Sequence, residues 1–458
     1  MRSILLTLLA ALSPLLGGAA SAQAVRPVYA ITDVTVVPMD RERLLPGRTV
    51  IVRDGRIAAV GPARSTRVPS GAVRINGRGR YLMPGLAEMH AHVPAGSDPQ
   101  WTEDVLFLYA ANGITFARGM LGAPAHLELR SKLERGELVG PRLYTSGPSL
   151  NGNSVATPAD GRRMVGEQKA AGYDFLKIHP GLDRARYDAI AAAAREHALP
   201  FGGHVPDAVG LRRALEAKQT TVDHLDGYMP LLVRDDAAAP EGGGGFFGYD
   251  LTDRVDERKI AGVARLTARS GVWNVPTDSL IHHLLLPGLG EAELLARDEM
   301  RYVPRNMLEG WQKARAGLRS QPDYDPLRAA RFIAVRGKLI KALHESGAGL
   351  LLGSDAPQIF NVPGFSLHRE LTYLVQAGLT PYQALSTGTR EVARFLGTPG
   401  DFGTVETGRR ADLILLDGDP LKAVANLRRR AGVMVGGRWL PEAEIEAGLA
   451  AIAARYAG

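Results

Sequence analysis

Cysteine is absent from all 458 residues of the chain. This absence excludes disulfide bonds, and it excludes a lipoprotein anchor, because that lipid is attached through a cysteine. Thiolate ligands are excluded as well, so a metal ion bound by this chain must be held by nitrogen and oxygen atoms.

Motifs of several other protein classes are also missing. Neither Gly-x-Ser-x-Gly nor His-Glu-x-x-His occurs, which disfavours a serine hydrolase of the nucleophile-elbow type and a zincin-type protease. A formal Gly-x-Gly-x-x-Gly runs from Gly243 to Gly248, but residues 234–240 before it do not form the hydrophobic strand that a dinucleotide site needs. The net charge of +7 is scattered, without a basic stripe interleaved with aromatic residues, so nucleic acid is not an expected partner.

The chain has one long apolar run, at residues 4–16, and no later segment is as long and apolar. Small residues follow this run and offer Ala-x-Ala cleavage sites that end at Ala22 and Ala24. This pattern predicts a secretory signal peptide at residues 1–24 and a mature protein that is secreted or periplasmic. The alternative is an uncleaved anchor, which the short and interrupted run disfavours, so we expect no stable membrane anchor.

Two histidines separated by one residue, His90 and His92, end an apolar run that begins at Tyr81. In a β-strand, side chains two residues apart face the same side, so both imidazoles would reach one point, as metal ligands do. Such a pair also occurs by chance in loops, and further ligands are needed to support a metal site.

Four further residues of ligand type each end a strand-like segment later in the chain. They are Lys177, His204, His224 and Asp355. A barrel of parallel strands brings the C-terminal ends of its strands to one mouth. We therefore expect these side chains to meet the two histidines there.

The order His-x-His, Lys, His, His, Asp resembles that of the amidohydrolase superfamily, binuclear-metal type. The segment 83–86 is similar to the start of that family's first barrel strand, and 408–413 to its return to a small β domain. The runs 202–206 and 360–364 look most like the imidazolonepropionase-like branch, which includes Xaa-Pro dipeptidases. One departure is Glu88, because the family usually has aspartate two residues before the first histidine.

The resemblance implies an α/β fold, with a TIM (β/α)8 barrel and a small β-sandwich domain formed by both termini. We expect the small domain at residues 25–80 and 397–458, and the barrel at 81–396. The residue pattern agrees with this division. Apolar and polar residues alternate over 31–61 as in an antiparallel sheet, with a hairpin signal at Asp54-Gly55, and apolar residues recur at helical spacing over 441–456. The long interval between His224 and Asp355 should hold additional structure, with a mobile loop at 241–248 and a helical stretch at 291–318.

The resemblance also implies two divalent metal ions, with zinc the expected metal. One ion would be held by His90, His92, Lys177 and Asp355, and the other by Lys177, His204 and His224. An unmodified lysine ammonium offers no lone pair at neutral pH. The resemblance therefore implies that carbon dioxide converts Lys177 to a carbamate, whereas the alternative is an ordinary lysine on the barrel rim.

The implied activity is hydrolysis of a C–N amide bond in a small peptide-like or N-acyl amino-acid substrate. A metal-bridging hydroxide would attack, and Asp355 would take its proton and return it to the leaving nitrogen. Hydrolysis of a cyclic amide, lactone or phosphotriester at the same centre is an alternative, and so is a catalytically silent metal- or ligand-binding protein. A homo-oligomer is compatible with the sequence.

We also predict roles for five residues outside the set of metal ligands. Tyr228 is predicted to hydrogen-bond a substrate carbonyl oxygen or its tetrahedral intermediate, and His282 is predicted to contact substrate. Glu88 is expected to orient a ligand, and Arg118 to brace the barrel. His179 faces the same way as the predicted lysine ligand if the strand continues, so it could be an additional group of the site.

Overall fold

A computed structural model describes residues 27–96, 98–237 and 244–457. The predicted signal peptide at 1–24 lies outside these ranges, as does the first part of the predicted loop at 241–248. None of the helices in the described ranges is long and apolar enough to cross a membrane.

Strands and helices alternate along most of the described chain. The strands are β1 (Tyr29–Val36), β2 (Leu45–Arg53), β3 (Arg56–Pro62), β4 (Val73–Asn76), β5 (Tyr81–Pro84), β6 (Leu86–Ala91), β7 (Ile114–Gly119), β8 (Arg142–Thr145), β9 (Leu176–Ile178), β10 (Phe201–Gly203), β11 (Thr221–Asp223), β12 (Trp273–Val275), β13 (Leu413–Leu416), β14 (Arg430–Val435) and β15 (Arg438–Pro441). The α-helices are α1 (Pro99–Ala111), α2 (Ala125–Arg135), α3 (Pro158–Ala171), α4 (Arg184–Glu196), α5 (Gly210–Glu216), α6 (Tyr228–Leu232), α7 (Ile260–Ser270), α8 (Asp278–Leu285), α9 (Glu291–Leu295), α10 (Arg305–Arg319), α11 (Pro326–Glu345), α12 (Phe365–Gln376), α13 (Pro381–Thr387), α14 (Arg390–Phe395) and α15 (Glu442–Arg455).

One mixed sheet is built from both ends of the chain. Its strand order is β15-β14-β13-β5-β1-β2-β3, with β4 paired to β1. Asp54 and Gly55, with φ of 51° and 74°, form the tight turn between β2 and β3, as the sequence predicts. Because β5 pairs with β1 and β13, the sheet extends past the predicted boundary at residue 80. Its strands are bonded as a single sheet, so the sandwich arrangement stays a prediction.

The middle of the chain forms two parallel sheets, β6-β7-β8 and β12-β11-β10-β9. Isolated parallel bridges extend them, with Ser146 opposite Phe175, Asn274 opposite Leu350, and Ala91 opposite Ala356. Parallel strands joined by helices are the α/β arrangement of a TIM-like barrel. Residues 350–355 join their neighbours through single bridges and backbone hydrogen bonds, so closure as a full eight-stranded barrel stays a prediction.

Helices cover the parallel strands, and apart from β12 they make up most of the regular structure between β11 and residue 350. Helix α7 is an example of why these segments are helical and pack on the strands. It buries Ile260, Val263 and Ala264, which recur at helical spacing, against the main core. The predicted helical stretch at 291–318 corresponds to α9 and α10. With the helices outside, the C-terminal ends of the strands face a common side of the molecule.

Candidate metal centre

Three of the predicted ligands meet where β6 ends beside the segment that follows residue 350. The Nε2 atoms of His90 and His92 lie 3.5 and 2.9 Å from Oδ1 of Asp355. One ligand atom from each residue lies within 4.8 Å of the other two. This spacing forms a candidate site for one cation.

The other predicted ligands lie beside this group. The ring centroid of His224 is 4.5 Å from that of His90 and 4.6 Å from that of His204. Lys177 is fully buried on β9 and interacts electrostatically with Asp355. The structure therefore brings all of the predicted ligand residues into one cluster, which we call the metal-ligand cluster: His90, His92, Lys177, His204, His224 and Asp355.

Left-handed backbone conformations turn two of these residues into the cluster. The φ angle is 61° at His224 and 66° at Asp355, a region that non-glycine residues rarely adopt. Asp223, immediately before His224, contacts His90, so consecutive residues reach the same place although a regular strand would send them to opposite faces. Arg336 donates a hydrogen bond from Nη1 to the His224 carbonyl at 2.7 Å and stabilises this turn.

Gly203 makes room for the buried lysine. A Cβ atom at this position would lie 2.8 Å from Cδ of Lys177 and 2.5 Å from the carbonyl oxygen of Ile178. Its φ of 122° is also unfavourable for other residues. Glycine immediately before His204 therefore lets β10 pack directly against the lysine side chain.

Polar groups around the cluster orient its imidazoles. Nδ1 of His90 lies 2.8 Å from Oδ2 of Asp223, and Nδ1 of His204 lies 2.6 Å from Oδ2 of Asp226. Nδ1 of His224 is 2.8 Å from the hydroxyl oxygen of Thr277. Partners of this kind fix the ring orientation of metal-ligating histidines. None of these three partners is among the residues predicted from the sequence, although the two aspartates flank His224 in the run Thr221-Val-Asp-His-Leu-Asp226.

Burial sets the charge states in the cluster. It lowers the pKa of His90 and His224 well below the usual value, with the positive charge of Lys177 adding to the effect, so both imidazoles are neutral, as ligands must be. Burial also lowers the pKa of Lys177 to about 8, although Asp223 and Asp355 act in the opposite direction. Part of the lysine is therefore an uncharged amine near neutral pH.

Glu88 links the end of β6 to the segment that carries Asp355. Its carboxylate accepts hydrogen bonds from the backbone N–H groups of His90 and Ser354, and from the Ser354 hydroxyl. Burial raises its pKa to about 8, although these hydrogen bonds act to lower it. Glu88 thus fixes the backbone at one ligand and next to another, which is consistent with its predicted orienting role.

The structure corrects the prediction for Tyr228. Its hydroxyl is fully buried, donates to Oδ1 of Asn274 at 2.6 Å and lies 3.0 Å from the hydroxyl of Thr267 on helix α7. These partners hold the ring in the layer between strand and helix. Tyr228 is near the predicted ligand His224 in the chain, but residue 228 already begins α6, whose packing directs the side chain into the core.

His282 lies on α8 and contacts residues other than the metal-ligand cluster. Its ring stacks on Tyr373 with centroids 3.8 Å apart, and its Nδ1 is 2.7 Å from the carbonyl oxygen of Asp278. Its contact with substrate stays a prediction. His179 is nearer, since its ring centroid is 5.0 Å from that of His204 and its Nδ1 is held by the Ser149 hydroxyl.

Arg118 braces the strands, as predicted. It is buried and donates to the carbonyl oxygen of Met89, to the Thr221 hydroxyl and to both carboxylate oxygens of Asp223. Because Asp223 in turn contacts His90, the Arg118 guanidinium fixes a carboxylate that lies directly beside the metal-ligand cluster.

The residues of the cluster fit a bound metal. Nε2 of His92, Nζ of Lys177 and Oδ1 of Asp355 are buried and have no hydrogen-bond partner. Leaving one such atom unsatisfied costs about 1–3 kcal/mol, so their convergence indicates that another group satisfies them. Nitrogen and oxygen donors from histidine and aspartate suit a divalent ion such as zinc.

Comparisons with known proteins agree with this geometry. The profile of the Amidohydrolase family matches residues 81–440. The imidazolonepropionase of Symbiobacterium thermophilum is 26% identical over 390 residues, which are 81% of this chain and 84% of that protein.

Solved structures support the fold. A bottromycin amidohydrolase superposes with a TM-score of 0.72 at 23% identity, covering 94% of this chain and 90% of its own. A Xaa-Pro dipeptidase with methionine bound in its active site has a TM-score of 0.66 at 17% identity, covering 90% of this chain and all (100%) of its own.

Parallel strands with a nitrogen and oxygen ligand cluster at their C-terminal ends, together with these matches, define a metal-dependent hydrolase that acts on C–N bonds. More particularly, the chain belongs to the amidohydrolase family.

Proposed function

We propose that this protein hydrolyses a C–N amide bond in a small peptide-like or N-acyl amino-acid substrate. The observation that carries the proposal is the metal-ligand cluster, in which Lys177 and Asp355 present buried, unsatisfied atoms beside four imidazoles. Small amide substrates also fit the similarity to imidazolonepropionase and to Xaa-Pro dipeptidase.

The cluster has ligands for two divalent ions, for which we propose zinc. His90, His92 and Asp355 would hold one, and His204 and His224 the other, with a carboxylated Lys177 shared between them. When bound, such ions polarise the substrate carbonyl and make a nearby water more acidic. A hydrogen bond to Asp226 orients the His204 imidazole, and Oδ2 of Asp223 lies 2.8 Å from Nδ1 of His90.

Lys177 can acquire its carboxylate from carbon dioxide. The uncharged amine attacks the carbon of CO2, so that an N–C bond forms while one C=O π bond opens and its electron pair moves to oxygen. One N–H proton passes to solvent water, and the product carries one negative charge. The low pKa of this lysine, about 8, supplies the uncharged amine near neutral pH. Conversion also replaces an unsatisfied buried amine by oxygen atoms that can bind cations.

We propose that Asp355 moves the proton. Its Oδ1 atom lies 2.9 Å from Nε2 of His92 without forming a hydrogen bond to it, and Oδ2 lies 3.9 Å from Nδ1 of His224. Asp355 would take the proton from the attacking water and deliver it to the departing nitrogen, as a general base and then a general acid. We also propose that residues 1–24 export the protein to the periplasm or the exterior.

The test is a substrate panel with purified protein reconstituted with zinc and bicarbonate. Dipeptides, N-acyl amino acids, lactones and phosphotriesters are compared, and we expect turnover of an amide. Turnover restricted to lactones or phosphotriesters would replace the proposal by that activity. No turnover in the whole panel would favour a metal- or ligand-binding protein.

Metal analysis of a lysine variant tests the role of Lys177. We expect about two ions per chain in the wild type, and loss of metal and activity in Lys177→Ala, because the shared ligand is removed. Added acetate or propionate should restore part of both by supplying carboxylate oxygens. Lys313→Ala, which changes an exposed lysine on α10, is the matched control. Full metal content and rate in Lys177→Ala would make residue 177 an ordinary lysine.

A further inference from the structure

An aromatic side chain from outside the strands covers part of the metal-ligand cluster. The ring of Phe247 lies 5.1 Å from that of His224 and 6.2 Å from that of His204, with interplanar angles of 27° and 10°. Phe246 contacts it at 4.3 Å between centroids. Phe247 therefore forms a flat apolar face beside two imidazoles for which we propose ligand roles.

The backbone holds this ring in place by an uncommon conformation. The φ angle is 51° at Phe247 and 83° at Gly248. Gly248 packs so closely on α6 that a Cβ atom there would lie 2.5 Å from Cβ of Met229. A bulky residue in the left-handed region costs free energy, and such strain is concentrated at functional sites.

The chain on the C-terminal side of Phe247 is anchored to the rest of the molecule. The Tyr249 hydroxyl donates to the carbonyl oxygen of Asp325 at 2.8 Å and accepts from its N–H. Val255 forms an antiparallel bridge with Val233, and Leu251 is buried. These contacts fix the position from which Phe247 reaches the cluster.

A cavity of about 520 Å³ lies next to the Phe247 ring. It reaches His204 and Asp226, so it adjoins the metal-ligand cluster directly. Its apolar walls are Leu182, Val205, Pro230, Phe246 and Phe247. A cavity of this size and composition is typical of pockets for small organic ligands.

The charged residues of the cavity disfavour an anionic ligand. Three aspartates line it: Asp183, Asp207 and Asp226. The one cationic side chain among the lining residues that the structure describes is Arg186, and its guanidinium already donates to the carbonyl oxygens of Gly152, Val155 and Gly181. A carboxylate in this cavity would meet three negative groups without an available cation.

We propose that this cavity is a substrate subsite for an apolar, uncharged group attached next to the scissile bond, and that Phe247 is its specificity-determining residue. The group would lie against the Phe247 ring while the bond to be broken faces the metal-ligand cluster. This inference rests on the proposed function and narrows its substrate class to amides with an aromatic or large aliphatic group on one side.

The test compares uncharged probes that differ only in the group placed in the cavity. These are N-acetyl-L-phenylalaninamide and N-acetylglycinamide, with the corresponding glutamate α-amide as an anionic probe. Binding is measured by calorimetry on zinc-loaded protein in an Asp355→Asn background, so that turnover does not interfere. Rates on the same probes are measured separately in the wild type.

We expect the phenylalanine probe to bind at least about tenfold more tightly than the glycine probe, since burial of a phenyl group favours binding. The glutamate probe should bind no better than the glycine probe. Phe247→Ala should reduce the preference to about threefold or less, and Phe247→Leu should reduce it partly, because leucine keeps the bulk but lacks the flat face. Phe107→Ala, which removes a half-buried phenyl group on α1, should leave the preference unchanged.

The outcomes separate this inference from the proposed function. Binding preference that depends on Phe247 without turnover of any amide supports the subsite and contradicts the proposed activity. Amide turnover with a preference that survives both Phe247 substitutions overturns the subsite and leaves the activity intact. Tighter binding of the glutamate probe overturns the assigned substrate class. Should Phe247→Ala fail to fold, Phe247→Leu decides the outcome.

Discussion

Replacement of Arg118 by methionine should destabilise the protein strongly. The guanidinium is 1% exposed and donates to Met89, Thr221 and Asp223, so it joins three parallel strands. Burial raises the pKa of Asp223, but Arg118, Lys177, His224 and a hydrogen bond from Thr221 together outweigh this effect, and the net pKa is lowered. Arg118→Met would leave a fully buried carboxylate with one of its cations removed.

Breaking a buried ion pair from one side typically costs about 3–5 kcal/mol. We expect the free energy of unfolding of Arg118→Met, measured by urea denaturation followed by circular dichroism, to fall by about that amount. The double variant Arg118→Met/Asp223→Asn removes the uncompensated charge, so it should recover at least about 1 kcal/mol relative to the single variant.

Two results would refute this reasoning. A loss of less than about 1 kcal/mol in Arg118→Met would show that the buried carboxylate does not depend on the guanidinium. Strictly additive effects in the double variant would show that the two side chains do not interact energetically. Arg305→Met, at an exposed position on α10, is the control for loss of an arginine, and its stability should stay within about 0.5 kcal/mol of the wild type.

Three further predictions address catalysis and stability. Asp355→Asn should retain its fold and most of its metal, while kcat on the best panel amide falls at least about a thousandfold because the base is lost; more than a tenth of the wild-type rate would contradict this role. Tyr228→Phe should change kcat/KM by less than about threefold but lower the free energy of unfolding by about 1–3 kcal/mol, because Asn274 loses a buried donor; a large loss of rate with unchanged stability would restore Tyr228 to the site. Burial and the adjacent Asp278 raise the pKa of Glu370 from 4.5 to about 8, so its contribution to stability is complete below about pH 4.5 and is lost as the pH rises through about 8. Glu370→Gln should therefore make the decline of unfolding free energy between pH 5 and 8 shallower, by up to about 1.4 kcal/mol per pH unit in urea titrations, and an unchanged slope would disprove the shift.

Much of the fold follows from local patterns. The hairpin at Asp54 and Gly55 and the C-terminal helix α15 lie where the sequence predicts them, because turn residues and helical spacing act within a few residues. The barrel boundary was less accurate, because pairing of β5 with β1 and β13 depends on strands from both ends of the chain.

The sequence by itself determined the chemistry available to this protein. The absence of cysteine restricted metal ligands to nitrogen and oxygen, and the positions of the histidines, Lys177 and Asp355 at strand ends indicated which side chains would meet. Those statements depend on residue type and on the regular geometry of strands.

Only the tertiary structure decided how these side chains are held and what covers them. Three features depend on it: the contact of Asp223 with His90, the core position of Tyr228, and the stacking of Phe247 on His224. Each of them joins segments that are apart in the chain, and His224 and Phe247 also adopt left-handed backbone conformations. The periodicity of strands and helices specifies which face a side chain occupies within its own element. It carries no information on which distant element packs there, because that packing is set by the shape and burial of the whole core.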